Sequence, residues 1–125
     1  MIEEDYVSFE TAKLLKEKGF KGQGEHFYED DKIAYFIDYW HRITPEQRYE
    51  TIEAPTLQMA MKWLREIHRL IVVIQKEIYT GSGNWWYRID RSDRPFIDSI
   101  ESDANYESYE LAAEAAIKYC LENLN

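Results

Sequence analysis

Apolar positions recur at helical spacing in three stretches of the chain. The C-terminal stretch is the most regular. Tyr109, Ala112, Ala113, Ala116, Ile117, Cys120, Leu121 and Leu124 follow the i, i+3, i+4, i+7 rule, and Glu110, Glu114, Lys118 and Glu122 line the opposite side. In the middle, Leu57, Ala60, Met61, Leu64 and Ile67 or His68 form an inward stripe. Lys62, Arg65, Glu66 and Arg69 make its polar counterpart, and Trp63 sits on the border. Each helix has a start signal: Ser8, Thr56 and Ser108 precede an apolar residue, then Glu or Gln, then Ala two positions on. The hydroxyl accepts from orphan N–H groups of the first turn, and a carboxylate there complements the helix dipole. The first helix is predicted to run to Lys18 and stop at Gly19, which suits the left-handed C′ position, with Phe20 as its apolar clasp. The three starts lie about 50 residues apart, but good helix starts look alike, so spacing alone does not make a repeat.

Between the helices the pattern turns strand-like. Glu25 to Trp40 reads as a hairpin turning at Glu29-Asp30-Asp31-Lys32. Thr44 to Gln47 resembles a capping box, which predicts a helical turn before a short extended piece at Arg48 to Glu53. Leu70 to Tyr79 is rich in β-branched residues and is predicted to pair, through Thr80 to Asn84, with Asn84 to Arg91. Ser92 to Asn105 is polar and loop-like, with Pro95-Phe96-Ile97 offering an edge strand. The expected fold is therefore a single α+β domain, residues 1–125, with two β-hairpins and three principal helices packed on antiparallel sheet. Its order is α-β-β-(short)-α-β-β-(β)-α.

The second hairpin carries an unusual "NWWYRID" (Asn84 to Asp90). In an extended chain Trp85, Tyr87 and Ile89 share one face, an apolar one that belongs under the helices. Trp86, Arg88 and Asp90 share the other, predicted to turn toward solvent. Trp86 is then the anomalous ring. It stacks on Arg88 or a cross-strand neighbour, or it meets a partner. Trp86, Arg88 and Trp63 are the candidate partner surface.

Composition narrows the function classes. The chain has 125 residues, is 45% hydrophobic and 15% aromatic, and so can fill a core without metal or disulfide staples. Its net charge of −9 opposes phosphate-driven nucleic-acid binding and adhesion to anionic membranes. Lys62, Arg65, Arg69, Arg88, Arg91 and Arg94 nevertheless gather in the middle third. One cysteine excludes an internal disulfide and a cysteine-based zinc site. The acidic "MIEEDY" opening is not a signal peptide, and "LIVVI" is too short to span a bilayer, so a cytoplasmic protein is expected.

Catalytic chemistry has little to rest on. His26, His41 and His68 are far apart and lack a second ligand at metal spacing, and His68 suits an interaction with its helix dipole. Asp98, Glu101 and Asp103 lack the glycine and terminal glutamate of a calcium loop. Gly81-Ser82-Gly83 is too short for a dinucleotide fingerprint and reads as a hairpin loop. Cys120 lies in an apolar stripe, the setting of an inert buried thiol. No catalytic, cofactor-binding or metal residue is assigned, and no enzyme activity or cofactor is expected.

Two resemblances bear on function. "YVSFETAKLLKEKGF" (Tyr6 to Phe20), "APTLQMAMKWLRE" (Ala54 to Glu66) and "YESYELAAEAAIKYCLENL" (Tyr106 to Leu124) resemble short uncharacterised proteins of gut Bacteroides and their phages or mobile elements. That resemblance implies an origin and no activity. Separately, Thr56 to Leu124 is similar in topology to a double-stranded-RNA-binding domain, and "AAEAAIKYCLE" resembles that fold's alanine-rich last helix. Such domains place lysines at the start of that helix to meet phosphates; this chain has Glu107, Ser108 and Glu110. The expectation is a non-catalytic accessory or protein-binding protein of a phage-related element, with a partner of unknown identity that an acidic surface suits if it is basic. A homodimer stays open, no membrane partner is expected, and a nucleic-acid-binding module is the alternative.

Overall fold

In the computed structural model the described residues are 2–22, 24–30, 32–35, 41–46, 51–94 and 98–124. They form three helices and two three-stranded antiparallel sheets, in the order α-β-β-β-α-β-β-β-α. The chain divides into two units, Met1–Thr56 and Leu57–Asn125.

The first unit contains α1 (Phe9–Glu17), β1 (His26–Glu29), β2 (Lys32–Tyr35) and β3 (Ile52–Glu53). Ser8 caps α1 by accepting from the Thr11 N–H at 3.2 Å. The helix ends as its sequence asks. Gly19 takes φ 91°, its N–H donates to the Lys16 carbonyl, and the Phe20 N–H donates to that of Leu15. This is the reciprocal bonding of a Schellman cap, and it buries the Phe20 ring. The hairpin pairs Glu29 with Lys32 and turns with Asp30 at φ 58°, while Asp31 lies outside the described residues. Residues Phe36 to Trp40 of that expected hairpin lie outside the described residues. Val7, Ala12, Leu15, Tyr28 and Ala54 make the core, and the Tyr28 hydroxyl donates to the Val7 carbonyl. Pro45-Glu46 is a turn, and Gln47 of the expected capping box lies outside the described residues. Of the extended piece after it, only Ile52–Glu53 forms a strand, on the far side of β1, while residues 48–50 lie outside the described residues.

The second unit contains α2 (Leu57–Ile67), β4 (Leu70–Lys76), β5 (Trp85–Arg91), β6 (Ile100–Glu101) and α3 (Tyr109–Asn123). Ser108 caps α3 through the Leu111 N–H. Ala112, Ala113 and Ala116 are fully buried, and their small side chains let α3 lie close against its neighbours. Leu57, Ala60, Met61 and Leu64 bury the inner stripe of α2, whereas Ile67 is exposed and His68 is part-buried in its place. The β4–β5 register runs from Leu70↔Arg91 to Lys76↔Trp85. The third strand is Ile100–Glu101, paired with Ile89 and Arg88, and the Pro95-Phe96-Ile97 alternative lies outside the described residues.

Both units begin helix, strand, strand, strand, yet they are not copies of one topology. The first strand is central in β2-β1-β3, whereas the second is central in β4-β5-β6. No helix among the described residues is long and apolar enough to cross a membrane.

Candidate functional site

The register assigns faces to the second sheet. Trp85, Tyr87 and Ile89 turn toward α3: the Trp85 ring meets Tyr109 edge-on at 5.8 Å, and Tyr87 lies 6.4 Å from Tyr119. Burial pushes the Tyr87 hydroxyl up to about 12, with Tyr106 and Tyr119 adding to it. The opposite face carries Ile71, Val73 and Gln75 of β4 beside Asp90, Arg88 and Trp86 of β5.

That second face is less solvent-like than its alternation predicts. Asp90 is 5% exposed. Its carboxylate accepts from the Ser99 hydroxyl at 2.6 Å and from Arg88 Nε at 3.0 Å. The Ser99 bond, then Arg88, holds the Asp90 carboxyl below its ordinary value. Sequence alternation placed Asp90 outward because it treats every polar residue alike. A buried carboxylate is tolerated where charge-assisted bonds replace water, and Ser99, outside the hairpin, supplies one of them.

Trp86 is part-exposed beside Gln75, and no hydrogen bond or ring contact engages its side chain among the described residues. Arg88 directs its Nε to Asp90, so it belongs to an internal network as much as to a partner surface. Trp63 is elsewhere, in the helix layer, with its ring 4.6 Å from that of His68. Of the three residues expected to form one surface, Trp86 and Arg88 share a face of β5, and Trp63 lies on α2. His68 follows the last residue of α2, and its Nε2 is buried with no hydrogen-bond partner among the described residues.

The β4–β5 connection shows what pattern reading missed. The strand expected to reach Tyr79 stops at Lys76. Glu77 ends it: its carboxylate accepts from the Tyr79 N–H at 2.5 Å, the Thr80 N–H at 3.0 Å and the Ser82 hydroxyl at 3.2 Å, as well as from the Thr80 hydroxyl. These N–H groups are thereby taken from any strand ladder. The Thr80 bonds, with help from Tyr79 and Ser82, lower the Glu77 carboxyl to about 2. Gly81 and Gly83, at φ 74° and 73°, let the loop close, and Asn84 ties it to the Ala104 carbonyl. The outcome is a bonded tip on which Ile78 is 73% and Tyr79 94% exposed. The legible signal was an acid followed at two, three and five residues by donors in "EIYTGS".

Basic residues also gather at the other end of this sheet. The Ser92 N–H donates to the Arg69 carbonyl, Leu70 pairs with Arg91, and Arg91 bridges to Arg94. The first unit holds a cleft of about 330 Å³ beside the end of α1. Cys120 is fully buried, and burial pushes its thiol up to about 12. No group of three or more His, Cys, Asp or Glu among the described residues is placed to hold a metal ion.

Compared with protein-family models, curated proteins and solved structures, the chain matches none.

Proposed function

We propose that this chain is a non-catalytic accessory or protein-binding protein of a phage-related element, acting through the β4–β5 tip. The observation that carries this reading is Tyr79, 94% exposed beside Ile78 on a loop fixed by Glu77. Large apolar side chains in solvent gain nothing for the folded monomer, and a bonded loop loses less entropy on binding than a floppy one. Tyrosine is well suited to an anchor because it joins a rigid apolar body to a polar tip. Exposed Asp103 and Glu107 flank the residues that support the loop, Ala104 and Tyr106. With a net charge of −9, they favour a basic partner. The phage-related origin rests on the resemblance of the three helix segments alone. Capture from host cells on the immobilised protein, with salt elution, tests the reading. A basic protein that elutes as salt rises is expected, and a capture indifferent to salt contradicts the electrostatic part.

A second reading, a nucleic-acid-binding module, draws support from the α-β-β-β-α order of the second unit and the grouping of Arg69, Arg91 and Arg94. Against it stand Glu107 and Glu110, both exposed at the start of α3, and the use of Arg88 by Asp90. Anisotropy titration on double-stranded RNA separates the two. Sub-micromolar binding at about 150 mM salt, weakened by charge reversal at Arg69 or Arg91, favours the nucleic-acid reading.

A further inference from the structure

The cleft of the first unit is built by the same cap that ends α1. Gly19 turns the chain, and Phe20 after it, Phe27 on β1 and Ala12 on α1 supply the apolar part of the lining. Gly19 contributes no side chain, and a Cβ built there would meet nothing within 4 Å, so this wall stays open. Lys16 and Lys21 stand on the lining, exposed, with no carboxylate within 4.0 Å among the described residues. Thr51 adds a hydroxyl. Glu53 is the acid of the lining, and its two oxygens are engaged by the Gly22 and Gly24 N–H groups, each at 3.0 Å. The Leu14, Leu15 and Lys16 carbonyls near the helix end likewise accept from the Lys18, Gly19 and Phe20 N–H groups. The lining carboxylate thus has bonds of its own, whereas no ion pair engages the two ammonium groups among the described residues.

We propose that this cleft binds a small aromatic anion, with its ring against Phe20 and Phe27 and its acid group between Lys16 and Lys21. The chemistry follows from the lining: apolar surface takes a ring, and unpaired cations at its margin take a carboxylate, sulfonate or phosphate. Its volume, about 330 Å³, is at the small end for ligand sites and suits one ring system, not a polymer. This site is independent of the protein-binding reading, and either can fail alone.

The test uses 2-naphthoate and its neutral counterpart 2-naphthylmethanol as probes, titrated into the isotope-labelled full chain and followed by amide NMR shifts. Naphthoate is expected to saturate at millimolar concentration or below, on the order of 4 kcal/mol of binding. Its shifts should concentrate at Gly19, Lys21 and Thr51, and affinity should fall with salt. The Lys16→Gln, Lys21→Gln double variant should bind at least about tenfold more weakly, whereas Lys16→Arg, Lys21→Arg should retain binding. The amide spectrum shows directly that each variant is folded. No saturable shift, equal affinity for the alcohol, or undiminished affinity in the folded glutamine variant overturns the proposal.

Discussion

Replacing Asp90 with alanine tests the least expected feature of the second sheet. The residue is 5% exposed, and its carboxylate receives two bonds, from Ser99 Oγ at 2.6 Å and from Arg88 Nε at 3.0 Å. Hydrogen bonds to a charged group contribute about 1.5–3 kcal/mol each, but two that share one carboxylate do not simply add. Asp90→Ala also removes the carboxylate that pairs with Arg88, whose side chain is 22% exposed and so keeps part of its hydration. Together these give a loss of about 2–4 kcal/mol, which for a chain of this size lowers Tm by roughly 3–5 °C per kcal/mol. The Arg94–Asp98 pair, at 3.9 Å and exposed on both sides, is the internal control: Arg94→Ala should cost less than about 0.5 kcal/mol. The pH dependence has a definite sign. The folded Asp90 carboxyl lies below its unfolded value of about 3.9, so its contribution is full above that value and is lost as pH falls through the folded one. Urea unfolding at neutral pH and again near pH 3 reads both effects. An Asp90→Ala loss no larger than the Arg94→Ala loss, or a gap between wild type and variant that widens in acid, refutes the reasoning.

Three further outcomes follow from the packing. Cys120 should resist thiol reagents in the folded protein and react on unfolding, because the thiol is fully buried and raised to about 12; stoichiometric labelling of the native state contradicts this. Gly22→Ala should destabilise the first unit by about 1–3 kcal/mol, since a Cβ there would lie 2.3 Å from Glu53 Oε2 and 2.9 Å from Phe20 Cζ; a neutral effect in thermal melts contradicts that close approach. Tyr87→Ala should cost about 3–5 kcal/mol and exceed Trp86→Ala, because Tyr87 is buried and Trp86 is part-exposed; the reverse order in equilibrium unfolding implies a one-residue register error.

What the sequence made legible was local. Ser8 and Ser108 bond the N–H groups their spacing implied, Gly19 ends α1 in the left-handed region, and the Ala112 to Leu121 stripe is buried. Each depends on residues within a few positions of one another. Alternation also gave the faces of Trp85, Tyr87 and Ile89. It failed at Asp90, whose burial depends on Ser99 nine residues away, and at Glu77, whose carboxylate outcompetes the strand ladder for nearby N–H groups. The third strand at Ile100–Glu101 is too short to show a period. As for the candidate surface, Trp86 and Arg88 share a face of β5 and Trp63 lies on α2, as alternation and helical spacing implied. Ile78 and Tyr79 read as strand residues. Only the Glu77 bonds turn them into a displayed tip.

The tip is where the account is most exposed to test. Wild type and an Ile78→Ser, Tyr79→Ser variant, both immobilised, are to be incubated with the same host lysate and the bound proteins quantified by mass spectrometry. The variant leaves the Glu77 bonds to the Tyr79 and Thr80 N–H groups in place, because they are made by backbone at those positions. A partner enriched on wild type and reduced at least about tenfold on the variant, a difference of about 1.4 kcal/mol or more, is the predicted result. The same proteins recovered equally on both would contradict the claim that this loop is the binding element.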